Sequence, residues 1–170
     1  MLIKLLQVLR RRSRGPIAVM TAFMIAALWA NAAQAAETRI PLQLYGKVVG
    51  PTATCGPPEC LLNMATVPVN RRFEINRLSC TVQTSSLNAN IELLELRVLT
   101  AGNAVVNLAS VVPTFLNGPT GYGMWTVNEE IYLQAGATQK VQVRVGITPA
   151  GSDRVGTLEC SFSGNLVVIS

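Results

Sequence analysis

Two cysteines, Cys55 and Cys60, flank Gly-Pro-Pro-Glu in the stretch "TATCGPPECLL". Such a pair can be a redox couple, half of a metal site or a disulfide staple. A redox pair is favoured by C-x-x-C beside a helix N-terminus or a cation, which lowers the thiol pKa. Four intervening residues that include Pro57 and Pro58 supply neither. A structural zinc site needs two short cysteine spacings, or cysteines with histidines. The chain has no histidine, and its other two cysteines, Cys80 and Cys160, stand alone. A staple is the reading that remains. Cys80 and Cys160 each fall in apolar phase, within Leu78-Cys80-Val82 and Leu158-Cys160-Phe162. They are placed to bridge strands, which leaves Cys55 and Cys60 to each other. Crossed pairing, such as Cys55 with Cys80, stays open, because four cysteines allow three connectivities.

Other chemistry is thinly supplied. Without histidine there is no Ser-His or Cys-His nucleophile and no histidine-based metal site. Glu92 and Glu95 read as solvated strand residues. Glu129 and Glu130 are adjacent on a strand and so face opposite ways. Asp153 sits in the turn "PAGSDRVG". No phosphate loop or dinucleotide fingerprint is present. The expectation is a protein with no catalytic residues, no cofactor and no metal. One stretch suits binding: "FLNGPTGYGMWT" sets Asn117, Tyr122 and Trp125 around a Gly/Pro loop. Aromatics on such a loop can stack on sugar rings. The competing reading places Trp125 in the core, where large aromatics usually go.

The positive charge is localised. The formal charge is +5, but residues 1–35 hold Lys4, Arg10, Arg11, Arg12 and Arg14 and no acid. Residues 36–170 carry as many Lys/Arg as Asp/Glu. The folded part therefore has no basic excess with which to bind nucleic acid or an anionic membrane. The N-terminal segment reads as an export signal: "RRRSRG", then the apolar run "PIAVMTAFMIAALWA", then "NAAQAAE". Ala33-Gln34-Ala35 fits the small-x-small rule, with cleavage near Ala35/Ala36. The run has about 14 apolar residues against the roughly 20 of a membrane-spanning helix. No hydrophobic pair follows the arginines, so a general secretory signal is favoured over a twin-arginine one. The expected organisation is a signal-peptide helix over 1–35 and a single domain over 36–170. The protein would be periplasmic or extracellular, with no membrane attachment after cleavage. An oxidising compartment favours disulfides.

Strands recur along the rest. "RIPLQLYGKVV" puts Ile40, Leu42, Leu44 and Val48 on one face. "RRFEINRLSCTVQT" changes phase between Ile75 and Leu78, which predicts a β-bulge at Asn76-Arg77. "NIELLELRVLT" is strand-like with its period blurred at Leu93-Leu94, and "NAVVNLASVVPTF" follows a turn. "KVQVRVGIT" alternates throughout. Short alternating strands between Gly/Pro/Asn turns predict an all-β antiparallel β-sandwich, Ig-like or jelly-roll, stapled by disulfides.

The segments "ATVPVNRRFEINRLSCTV", "EEIYLQAGATQKVQVRV" and "GTLECSFSGNLVVIS" resemble a group of small exported proteins of rhizobia and related soil bacteria. The resemblance covers roughly residues 66–169. It implies a bonded Cys80 and Cys160, and carries no activity with it. "TRIPLQLYGKVV" is similar to the donor strand of chaperone-usher pilins, whose subunits complete a neighbour's sandwich by strand addition. The penultimate tyrosine of those pilins is missing here, where the chain ends Val168-Ile169-Ser170. The functional expectation is a non-catalytic binding or structural module. Its partner would be a glycan, a cell-envelope protein or, through Arg39–Val49, another copy.

Overall fold

The computed structural model describes residues 37–49, 55–56, 58–116, 121–148 and 155–169. The signal segment, Asn117 and Asp153 lie outside them. Among the described residues no helix is long and apolar enough to cross a membrane.

The described residues form strands β1 (Thr38–Val49), β2 (Cys55–Gly56), β3 (Glu59–Thr66), β4 (Arg71–Thr84) and β5 (Asn90–Leu99). They continue with β6 (Val105–Val111), β7 (Thr114–Leu116), β8 (Gly123–Ala135), β9 (Lys140–Thr148) and β10 (Val155–Val168). One sheet has the order β1-β10-β4-β8-β7, the other β2-β3-β9-β5-β6. All pairings are antiparallel.

The pairs are nested. β5 lies with β6, β4 with β8, β3 with β9 and β1 with β10. A single long hairpin rolled into two sheets has this order, which is the jelly-roll rather than the Ig-like arrangement. The first and last described strands meet in its outermost ribbon, Thr38 opposite Val168.

The core follows from alternation. β9 buries Val141, Val143, Val145 and Ile147 and leaves the residues between them half-buried. Across the sandwich β4 buries Phe73 and Ile75, then Leu78, Cys80 and Val82. The expected bulge reconciles these two phases: register shifts between Ile75 and Arg77 against both β8 and β10. Without it, one half of β4 would turn its apolar residues to solvent. The bulge brings β10 very close. A Cβ on Gly164 would lie 1.8 Å from the Glu74 carbonyl oxygen, so only glycine fits there.

Two expectations change in detail. "NAVVNLASVVPTF" is two strands in different sheets, β6 and β7, split at Val112-Pro113. Proline has no N–H to give a ladder, so it suits the crossing. On β1, Leu42, Leu44 and Val48 are half-buried, but Ile40 is 45% exposed.

Candidate functional site

Both disulfides form, and each joins directly paired residues. Cys55 lies opposite Cys60 in the β2–β3 hairpin, with Cα atoms 3.9 Å apart. Cys80 lies opposite Cys160 in the middle of the first sheet, with Cα atoms 4.1 Å apart. All four cysteines are buried, and Cys55 and Cys60 belong to the core rather than to an exposed turn. Among the described residues no thiol is free, and no three His, Cys, Asp or Glu gather as a metal cluster would.

The aromatic loop does not present one flat platform. Trp125 pairs with Val82, on the inward face, and packs against the core. Its ring meets Phe115 of β7 edge-on, at 4.9 Å and 61°. Tyr122 stands apart, 47% exposed. Trp125 thus plugs the flank of the sandwich, with Phe115 as its lid. The indole Nε1 is buried and has no hydrogen-bond partner among the described residues. Gly123 explains the tight entry to β8: a Cβ there would fall 2.4 Å from Thr84 Oγ1. The fully buried Thr84 hydroxyl donates to the Ser86 carbonyl at 2.8 Å.

The carboxylates are mostly engaged with cations across strands. Glu95 corrects the expectation of a solvated acid. It is 8% exposed, its carboxylate accepting from Arg97 Nε at 2.6 Å with Arg144 Nη1 3.7 Å away. The register sets Glu95 opposite Arg144, and Arg97 follows two residues on, on the same face. Arg144 also pairs with Glu59 of β3, which makes a ladder across three strands. On the first sheet Arg72 and Arg39 hold Glu74 at 2.9 and 3.2 Å. The Glu74 hydrogen bond raises the Arg72 pKa further. Lys47 of β1 pairs with Glu159 of β10, its register partner. That bond raises the lysine pKa and lowers the carboxylate's. Glu92, Glu129 and Glu130 are exposed.

No family model matches the chain, and no curated protein matches it.

A groove of about 770 Å³ runs over the outer face of the second sheet. Leu61 and the buried Leu99 contribute to its lining, with Asn63, Gln142, Lys140 and Arg97 as the polar groups. Gln142 Nε2 donates to Asn63 Oδ1 at 2.9 Å, and Lys140 Nζ donates to Asn103 Oδ1 at 2.9 Å. Sequence reading missed this groove. Its polar residues are ordinary outward positions on three strands, and only the order β3-β9-β5 makes them neighbours.

Proposed function

We propose that this is an exported, non-catalytic binding protein that works in the periplasm or outside the cell and takes a glycan of the cell envelope in the groove over β3, β9 and β5. The observation that carries export is the pair of buried disulfides, which an oxidising compartment forms and maintains. Support for binding over catalysis comes from the acids lining the strands. Glu59, Glu74, Glu95 and Glu159 are each committed to a cation. Support for a glycan comes from the groove's amides and ammonium, which suit sugar hydroxyls, over an apolar strip. Tyr122 adds an exposed ring elsewhere, whereas Trp125 is spent on packing.

Two measurements test this. The full chain expressed in a bacterial host is fractionated and weighed intact. Export predicts a start at Ala36 and a mass lowered by the hydrogens that two disulfides remove. A full-length reduced chain in the cytoplasm overturns it. The exported protein is then co-sedimented with envelope polysaccharide. Asn63→Ala with Gln142→Ala should abolish binding, and Tyr122→Ala should leave it intact. Unchanged binding in the first variant moves the site away from the groove. No binding by the wild type ends the glycan reading.

Donation of β1 to a neighbour is a second reading. In its favour, all twelve residues of β1 pair with β10 alone. A neighbour's β1 would make the same ladder. Against that, β1 completes the chain's own roll. A monomer with protected β1 amides at every concentration eliminates the exchange.

A further inference from the structure

The groove over β3, β9 and β5 carries an unbalanced charge. Two of its lining residues are cations, Arg97 and Lys140, and among the described residues that line it none is an acid. Arg97 is neutralised from beside the groove, its Nε and Nη2 each 2.6 Å from Glu95 Oε2. Lys140 is not. Its ammonium donates to the Ala101 carbonyl at 3.3 Å and to Asn103 Oδ1 at 2.9 Å, both uncharged acceptors. An ammonium has three N–H donors, so one remains. Lys47 on the first sheet is exposed and has Glu159 as its counter-ion. Lys140 is half-buried and has no carboxylate partner among the described residues. A half-buried charge gains more from an opposite charge brought to it, because water screens the pair less.

The ammonium is also held in place. The turn between β5 and β6 is closed by the Thr100 N–H, which donates to the Ala104 carbonyl at 2.8 Å, and by the Asn103 N–H, which donates to the Thr100 carbonyl at 3.0 Å. Asn103 has a φ of 66°, a left-handed conformation that asparagine tolerates. The acceptors that aim Lys140 therefore sit on a tied turn. The strand register sets what lies around it. Thr66 is opposite Lys140, and Asn63 is opposite Gln142, two residues farther along the same face of β9. Two residues of strand span about 7 Å, the reach of one sugar ring with hydrogen bonds at either end. We infer that the groove selects an acidic glycan, with Lys140 and Thr66 taking the carboxylate of a uronic acid and Asn63 and Gln142 the hydroxyls of its ring. A neutral sugar leaves the ammonium without a counter-charge. The inference rests on the glycan reading of the groove and adds to it the ligand's charge and the residue that reads it.

The test is titration calorimetry of the purified, oxidised protein with fragments of envelope polysaccharide, as isolated and after reduction of their carboxylates to alcohols. The isolated form should bind at least about tenfold more tightly, as a charge-assisted contact implies. Added salt should narrow the gap. Residues 36–170 carry as many Lys/Arg as Asp/Glu, so overall charge does not supply such a preference. Lys140→Met should bind both forms as the wild type binds the reduced one. Lys140→Arg keeps the charge and should keep the preference, and Lys47→Met should match the wild type. If Lys140→Met melts early, the salt series on the wild type decides, and a gap unchanged by salt overturns the inference. Equal binding of the two forms by the wild type, or a preference that survives Lys140→Met, overturns the inference and leaves the glycan reading standing. Binding of neither form ends both.

Discussion

The two sheets of this roll are held in different ways. The first is tied at its centre: Cys80–Cys160 joins β4 to β10 next to the bulge that aligns both halves of β4. The second is tied at its margin, where Cys55–Cys60 closes a hairpin whose first strand is two residues long. Its far side ends in the uncharged β6. Both bridges are buried, yet they restrain different things. One closes a loop of 80 residues and one a loop of five. The difference suggests that the first sheet carries the domain's integrity.

Variants can sharpen or break that contrast. The largest effect should come from Cys80→Ser with Cys160→Ser. Freeing the long loop costs about 4–5 kcal/mol in the chain-entropy account. That is a large part of the 5–15 kcal/mol typical of a domain. Urea melts should show it. Gly164→Ala comes next, at about 2–4 kcal/mol, because the new methyl meets backbone that cannot rotate away. A melt unchanged by this substitution would mean that β10 does not close onto the bulge. Cys55→Ser with Cys60→Ser should cost about 2 kcal/mol by the same loop arithmetic. Serine buries a hydroxyl in both cysteine variants, so their difference isolates loop length. Glu95→Ala should cost about 1–3 kcal/mol in the same melts, by leaving Arg97 without its carboxylate, while Arg144 keeps Glu59.

The smallest effect belongs to the rim of the first sheet. The lowered Glu159 pKa adds stability that is present above the unfolded value and lost as pH falls through the folded one. The raised Lys47 pKa adds stability that is present below the unfolded value and lost as pH rises through the folded one. Both groups are solvated, so Lys47→Met should shift the melt only at the limit of detection near neutral pH. High salt should erase the shift. A large shift would promote this edge to a structural clamp.

Sequence made the strands and the core legible, because burial on one face imposes alternation. Val141 to Ile147 and the phase change at Asn76 could be read directly. Nesting could not, since pairing β1 with β10 or β3 with β9 is a property of distant partners. The β6–β7 crossing had a local signal, Val112-Pro113, hidden inside a stretch that otherwise reads as one strand. The burial of Glu95 had none: its cover comes from Arg144 on β9. The same holds for Trp125, whose lid is a three-residue strand, and for the groove, whose polar groups come from three strands.

Amide hydrogen exchange of the unmodified, oxidised protein tests the contrast between the sheets most directly. The slowest amides should cluster on β4 and β10 around Cys80 and Cys160, opening only with global unfolding, while those of the β2–β3 hairpin exchange faster through local opening. A hairpin protected as strongly as the centre of the first sheet, or more strongly, would contradict the account.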